Sequence, residues 1–479
     1  MNSLHKGEPW KKRLGRVWGF KMKFTNYKLN DLGKIITGKT PPSKVQNAFT
    51  QVGIPFVTPS DMNGGRFVEK TNRNLSDEGL NVVRNNLIPE NSVAVSCIGS
   101  DMGKAIIIKT TSVTNQQINS IIVNEKFNYL YIYYVLSTKQ QELKNIASGS
   151  ATPILNKTQF GNIEIKLPDR KYQDKVSNIL DKFDNKIELN TQTNQTLEQI
   201  AQAIFKHWFI DFAPVHAKAN ALARGETIEQ AELAAMACLS GKTVDKITAL
   251  KAQDPTAYHQ LQQTAAAFPS EFVETEMGQV PRGWERTTLT HICEMKNGYA
   301  FKSKEWTDEG IPVIKIGSVK PMLIELDNGS FVAAENETLR ADFLASEGDI
   351  LVGLTGYVGE VGRIPYQEKA MINQRVAKFM PKKITETMNY YCFIYCLARQ
   401  KEFKAFTEMN AKGSAQANIS TKEILSYPVI IATKEIHIAF ENTVKNLLDK
   451  IIVNSGENST LTKTRDELLP RLLSGEIEL

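Results

Sequence analysis

Two stretches of this chain, KIELNTQTNQTLEQI (186–200) and KIIVNSGENSTLTKT (450–464), break the same pattern in the same way. Each lies inside a run of apolar residues stepping by alternating fours and threes, the heptad signature of a helix that buries one stripe against another helix. The first stripe is Val176, Leu180, Phe183, Ile187, Asn190, Asn194, Leu197, Ala201, Ile204 and Trp208. The second is Phe440, Val444, Leu447, Ile451, Asn454, Asn458, Leu461, Arg465, Leu468 and Leu472. Each helix is expected to run roughly 35 residues, about 50 Å. If the two pair antiparallel about their midpoints, Asn190 faces Asn458 and Asn194 faces Asn454. Facing amides satisfy one another in an apolar seam, whereas a slipped register strands them at about 1–3 kcal/mol each. The asparagines thus read as register pins; the alternative is that they line a wet patch turned toward a partner protein. Gly456 costs the second helix about 1 kcal/mol and marks a candidate bend.

The repetition extends beyond the helices. GIPFVTPSDM (53–62) matches GIPVIKIGSV (310–319) at an offset of 257, and LIPENSVAVSCIG (87–99) matches LASEGDILVGLTG (344–356) at the same offset. That offset also sets Tyr27 against Trp284 and Leu32 against Leu289. TNQQI (114–118) resembles INQRV (372–376), and SGSATPILNKTQF (148–160) meets KGSAQANISTKEI (412–424) at an offset of 264 that persists through the helices. The chain is therefore two copies of one unit, about 24–212 and 284–476, too few and too long for a solenoid. Short β-branched runs (VAVSCI, AIIIK, INSIIV; DILVGL, RVAKFM) read as strands, and YLYIYYVLSTKQQELKNI and NYYCFIYCLARQKEFKAF each read as a single helix. The expected fold is α+β: two homologous mixed α/β domains held apart by two long helices that form an antiparallel coiled coil with pseudo-two-fold symmetry. The domains would sit some 50 Å apart, about one and a half turns of B-DNA, facing the same way. The segments are a basic tail (1–23), a first domain (24–170), its helix (171–212), a helical connector (213–283), a second domain (284–434) and its helix (435–479).

Charge and cysteine content narrow the setting. Residues 1–23 hold seven Lys and Arg against Glu8, so this tail accounts for the whole formal net charge of +6. The remainder is balanced, so if the chain binds nucleic acid it does so through local patches or with partners. The tail has no apolar core of the kind a secretory signal needs, and no run approaches a membrane span, so the expected location is the cytoplasm, without membrane contact. Five scattered cysteines fit a reducing compartment, and Cys392 and Cys396, one helical turn apart, read as buried thiols ahead of metal ligands.

Catalytic signatures are sparse. GKIITGKT (33–40) matches the phosphate-binding loop G-x-x-x-x-G-K-T, the basis of an alternative reading as a nucleotide hydrolase. That loop must follow a buried strand and open a helix, but here NYKLND precedes it, Pro41 and Pro42 follow, and the second copy lacks the motif. The six histidines show no catalytic spacing. What remains is a binding protein with polar loops: Lys39, Thr40, Lys44; Thr58, Ser60, Asp61, Arg66; Ser100, Lys104; and Gln117 in the first copy. Their counterparts are Lys302, Lys304; Lys315, Lys320; Tyr357, Arg363; and Arg375 in the second. Lys and Arg hold phosphates or read guanine, and Asn, Gln, Ser and Asp pair with base edges; solvated turn chemistry is the alternative for each. Features kept in both copies, such as Asn115-Gln116 with Asn373-Gln374 and Gly149-Ser150 with Gly413-Ser414, read as scaffold. A coiled-coil assembly protein without a DNA role is a third reading.

The duplicated domain-plus-helix, the GIPF/GIPV strands, KHWFIDFAPV (206–215), VPRGWE (280–285) and DELLPRLLSGEIEL (466–479) together resemble the DNA-specificity subunit of type I restriction–modification systems. The resemblance implies two target-recognition domains that each read half of a gapped site in double-stranded DNA. It implies a coiled coil that sets the gap and docks two methyltransferase subunits, with restriction/translocase subunits joining for cleavage. It also implies that no cofactor binds this chain, since S-adenosylmethionine, ATP and Mg belong to the partner subunits, and that the chain itself is not catalytic. The connector 213–283 is richer than a simple link; it is expected to brace the second recognition domain or touch a methyltransferase subunit, the alternative being that its alanine-rich short helices only pack.

Overall fold

The computed structural model describes residues 22–62, 65–68, 70–99, 101–147, 154–275, 278–326, 329–413 and 416–479. Most of the basic tail, Ser100, Gly149-Ser150 and Ser414 therefore lie outside the described residues. The chain divides into two compact units, residues 1–186 with 461–479, and residues 187–460. The long helices are Arg170–Phe209 and Lys434–Leu473, 40 residues each and one 264-residue offset apart.

In the first unit an antiparallel sheet orders Gly33–Thr37, Ile118–Val123, Val93–Ser96 and Ala105–Ile107. A second sheet orders Phe49–Thr50, Asn74–Leu75, Ile54–Val57, Ser112–Thr114 and Leu87–Ile88, with Ile54–Val57 parallel to Ser112–Thr114. The strands Thr25–Lys28 and Glu164–Leu167 form a separate pair that leads into the first long helix. The second unit repeats this plan. Cys293–Asn297, Val376–Pro381, Ile350–Gly353, Val361–Arg363 and Met322–Leu323 form one sheet; Trp306–Thr307, Phe331–Val332, Ile311–Ile314, Lys369–Ile372 and Leu344–Ser346 form the other. Both copies share a strand order and the parallel pair of the second sheet, the second copy adding Met322–Leu323 parallel to Val361–Arg363 as a fifth strand, so the duplication read from short motifs is a duplication of fold.

The register of the first elements differs from the sequence alignment. Tyr27 pairs with Ile165, while the strand partner of Val429, 264 residues beyond Ile165, is Thr287. Likewise Leu29 N donates to Ile163 O, and Leu289 N to Tyr427 O. Leu29 therefore matches Leu289, and Leu32 matches Ile292; the offset there is 260, and Tyr27 does not correspond to Trp284. Burial explains the slip, because all four leucine and isoleucine positions are fully buried and either alignment satisfies the apolar pattern. The helices expected as single pieces are each broken: Tyr129–Ser137 is followed by Gln140–Ala147, and Tyr391–Ala398 by Lys401–Asn410.

Each domain packs on the start of its own long helix and on the end of the other. In the first unit Val176 and Leu180 share a core with Leu472, and the Tyr172 hydroxyl donates to the carbonyls of Leu472 (3.1 Å) and Ile477 (2.7 Å). In the second, Phe440 and Val444 share a core with Phe205, Trp208 and Phe209, whose rings meet Phe393 and Phe440 edge to face. This two-sided packing rotates the buried stripe. Asp184, Glu198, Phe205 and Leu448 are buried, one position beyond Phe183, Leu197, Ile204 and Leu447, which are only half buried. The helix must face both its partner helix and the domain helix, and a heptad count alone sees only the first.

Within the second unit Asn190 Nδ2 donates to Asn458 Oδ1 at 2.9 Å, and Asn454 Nδ2 to Asn194 Oδ1 at 2.8 Å. Both pairings match an antiparallel arrangement about the stripe midpoints. Gly456 lies within the unbroken helix Lys434–Leu473, and the ring of Tyr366 occupies the space where its side chain would be: a Cβ there would sit 2.3 Å from Tyr366 Cδ1. Close approach, not a bend, is the reason for glycine.

The connector forms four helices, Ala213–Ala223, Ile228–Ser240, Val244–Gln253 and Pro255–Ala267, and a hairpin of Phe272–Thr275 with Gly278–Pro281. Val215, Phe268 and Val280 enter the same core as Trp284 and Trp208. The Lys218 ammonium, buried, donates to Phe268 O at 2.7 Å, and burial lowers its pKa. The connector is thus packed on the second domain.

Candidate nucleic-acid interface

Strand ends in the first unit bring four of the polar loops to one edge. Gly38 N donates to Ile118 O and Lys39 N to Thr114 O, closing loop 38–44 onto 115–117. Asn115 N donates to Val57 O, attaching the loop that begins at Thr58, and Cys97 N donates to Gln117 O, attaching 99–104. Along this edge Lys39 and Lys44 are exposed, and Thr40 Oγ1 donates to Gln116 Oε1 at 2.6 Å. Lys104 and Gln117 are half buried; Asn115 Nδ2 donates to Gln117 Oε1 at 3.0 Å.

The second unit repeats the arrangement with other side chains. Gly298 N donates to Val376 O, Tyr299 N to Ile372 O, Asn373 N to Ile314 O and Leu354 N to Arg375 O. Lys302, Lys304, Lys315, Lys320 and Arg375 are exposed, and Lys315 Nζ stands 4.4 Å from the Trp306 ring centroid. Tyr357 is 68% exposed at a turn framed by Gly356 and Gly359, both at positive φ. Among the described residues Lys39, Lys44, Lys304, Lys320 and Arg375 form no ion pair, so their charge is available to phosphate.

Several candidates have other duties. Asp61 accepts from Thr58 N (2.8 Å), Thr58 Oγ1 (2.6 Å), Asn72 N (3.0 Å) and Asn72 Nδ2 (2.7 Å), which uses both carboxylate oxygens inside the turn. Ser60 is exposed and lies 2.8 Å from Thr58 Oγ1. Arg363 is 0% exposed: its Nη1 donates to Leu448 O at 3.1 Å and its guanidinium lies 4.5 Å from the Tyr395 ring. It is a core residue, not a surface cation; the GEVGR spelling looked like a loop, but Val361–Arg363 is an interior strand. Arg66 is buried too, with Nη1 2.6 Å from Asp181 Oδ1 and Nη2 bonded to Asn185 Oδ1. The phosphate-loop match also fails. Gly33–Thr37 is a strand, residues 38–48 form no helix, and the motif offers no helix N-terminus to a phosphate.

The sequence reading missed a fifth loop and two ion networks centred on the buried carboxylates Asp184 and Glu198. Gly356 N donates to Ala417 O and Ile419 N to Leu354 O, so residues 416–418, with exposed Gln416, join the second edge. Leu155 N donates to Cys97 O at the corresponding place in the first. In the first unit Asp184, on the long helix, accepts from Tyr134 Oη (2.6 Å) and from Arg465 Nη1 (2.6 Å) of the other long helix, and lies 3.9 Å from Arg66. Burial would weaken the Arg66 charge, but the Asp181 hydrogen bond and the field of Asp184 and its neighbours outweigh it and raise its pKa. In the second unit Glu198 accepts from Tyr395 Oη (2.8 Å) and Arg399 Nε (3.3 Å), and Arg399 Nη1 reaches Glu360 Oε1 at 3.5 Å. Glu360 also pairs with Lys404 at 2.9 Å.

Comparisons with known proteins give the family. The sequence model of the type I restriction modification DNA specificity domain matches residues 21–199 and again 281–462. The HindI type I restriction enzyme specificity subunit of Haemophilus influenzae is 36% identical over 362 residues, covering 73% of this chain and 77% of its own. The MjaIX type I restriction enzyme specificity subunit of Methanocaldococcus jannaschii is 26% identical over 467 residues, 94% of this chain and 93% of its own. Among solved structures, the type I restriction–modification S subunit from M. genitalium has a similar fold at 18% identity, with a TM-score of 0.51 over 96% of this chain and 98% of that one. With the family model matched once per copy and a relative above 30% identity across most of the chain, this protein belongs to the type I restriction–modification DNA-specificity family.

Proposed function

We propose that the chain reads a two-part DNA site, one half with each loop edge, and positions methyltransferase and nuclease/translocase subunits on it. The observation that carries this reading is the pair of equivalent loop edges, built on one topology but bearing different side chains. Where Thr58 opens the turn in the first copy, Lys315 opens it in the second; where Gln117 follows Asn115, Arg375 follows Asn373. A common scaffold with divergent contact residues supports recognition of two unlike half-sites. The paired helices, with their asparagine contacts, support a fixed gap between the halves. In this reading the chain has no catalytic role; methyl transfer and cleavage, with S-adenosylmethionine, ATP and Mg, belong to the partner subunits.

The test is a modified-base map of the host genome with and without this gene. A gapped adenine-methylated motif that vanishes only in the deletion is the expected result and yields both halves and the gap. Identical maps, with the methyltransferase subunits present and active, would count against DNA specificity and favour a coiled-coil assembly role.

A further inference from the structure

In both units a loop at the candidate DNA edge is joined to the long helices by charged groups, of which Arg66, Asp184 and Glu198 are buried and Asp181, Glu360, Arg399 and Arg465 half buried. In the first, Arg66, in the segment 65–68, meets Asp181 and Asn185 on the first long helix; Asp184 beside them is held by Arg465 from the second. In the second, loop 355–360 contributes Glu360, which meets Arg399; Arg399 meets Glu198 on the first long helix. The neighbouring Arg363 grips Leu448 O on the second helix and faces the ring of Tyr395, whose hydroxyl donates to Glu198. The two networks use different residues, yet each runs from a recognition loop to both long helices, with a domain tyrosine (Tyr134 or Tyr395) donating to the helix carboxylate. Independent construction of the same connection twice argues against coincidence.

Stability is a weak reason for such networks. Burying an ion pair costs desolvation that its attraction roughly repays, and apolar replacements of similar volume often match or exceed its stability. What a directional, hydrogen-bonded network adds over apolar packing is a fixed orientation. Apolar side chains tolerate sliding, whereas the Arg66 fork engages Asp181 and Asn185 in one geometry only. We infer that Arg66 with Asp181 and Asp184, and Arg399 with Glu198 and Glu360, are positioning residues that hold each recognition loop at a set angle to the helices. Discrimination of one half-site then depends on one network and the other half-site on the other. This rests on the two-part reading proposed above.

The experiment uses the full chain in its complex with the methyltransferase subunits, and duplexes carrying the mapped site intact, altered in one half, or altered in the other. Arg66→Met/Asp184→Asn removes opposite charges together, as does Arg399→Met/Glu198→Gln, and each keeps an acceptor for the domain tyrosine, Tyr134 or Tyr395. The expected result is an unfolding midpoint close to wild type and discrimination reduced about tenfold or more at one half by the first pair, and at the opposite half by the second. Arg66→Lys, which keeps charge but not the fork, should fall between. If a double variant does not fold, Arg66→Lys and Arg399→Lys carry the same half-specific test. Unchanged discrimination in folded variants, or equal loss at both halves, would overturn the inference. A wild-type complex that ignores both halves would instead overturn the underlying reading.

Discussion

Asn454 Nδ2 donates to Asn194 Oδ1 at 2.8 Å, with Asn454 1% exposed and Asn194 4% exposed, so these two amides, like Asn190 and Asn458, interrupt a stripe whose neighbouring positions Ile187, Leu197 and Ile451 are apolar. Asn194 Nδ2 reaches Ile451 O at 3.4 Å, while Asn454 Oδ1 has no hydrogen-bond partner among the described residues. The pair is therefore matched but incompletely satisfied, a poor choice for stability and a good one for register.

Asn194→Leu alone should lower stability by about 1–3 kcal/mol, because it leaves Asn454 buried without its acceptor. Asn194→Leu/Asn454→Leu should recover that loss. Cysteines placed one heptad out of register should then cross-link in the double variant and not in wild type. A single variant as stable as wild type, or absence of slipped cross-links in the double, would remove the register role.

Gly456 yields a second prediction. Gly→Ala in a helix interior ordinarily gains about 1 kcal/mol, but here the new Cβ would sit 2.3 Å from the Tyr366 ring. Tyr366 N also donates to Ser455 Oγ at 3.1 Å, which fixes the turn against the helix. Gly456→Ala should therefore destabilise, and Gly456→Ala/Tyr366→Ala should be more stable than Gly456→Ala. Thermal unfolding of the three variants decides it; a stabilising single substitution would show that the turn moves freely.

What the sequence revealed and what it hid follow one physical rule. Patterns that repeat between copies at fixed spacing, such as the Ile54–Val57 and Ile311–Ile314 strands or the asparagine pairs, were legible because a duplicated backbone preserves them. The slip at Leu29 and Leu289 was not, since Leu29, Leu32, Leu289 and Ile292 are equally apolar and any register buries them. Charge misled at the site. Arg66 and Arg363 look like surface cations in glycine-rich spellings, and only tertiary packing reveals that they turn inward. Glu198 and Asp184 sit one step off the heptad stripe, so their burial needed the domain helix to be placed first.

The buried imidazole of His437 predicts a pH dependence. It is 0% exposed, stacked on Phe209 with centroids 5.3 Å apart, and its Nε2 accepts from Ala432 N at 3.2 Å. Burial drives its pKa from 6.5 down to about 3. The folded value lies below the unfolded one, so this contribution to stability is intact above about pH 6.5 and is lost as pH falls toward the folded value. At pH 5 the loss should be about 2 kcal/mol. Gln in this place keeps an acceptor for Ala432 without titrating, so His437→Gln should flatten the fall in unfolding midpoint between pH 7 and pH 5. An equally steep fall in the variant would assign it to other groups.

The last prediction separates surface cations from buried ones at the proposed interface. A lysine or arginine that contacts phosphate releases counterions on binding, and its removal should lower the slope of log affinity against log salt by about one. Lys39, Lys304 and Arg375 are exposed and form no ion pair among the described residues, so each change to Gln should reduce the slope by that amount. Arg363, wholly buried against Leu448 O and the Tyr395 ring, should show no slope change when replaced by Met, whatever happens to stability. Measured on the assembled complex, a slope reduced by Arg363→Met but not by Arg375→Gln would place the DNA on another face of the second unit.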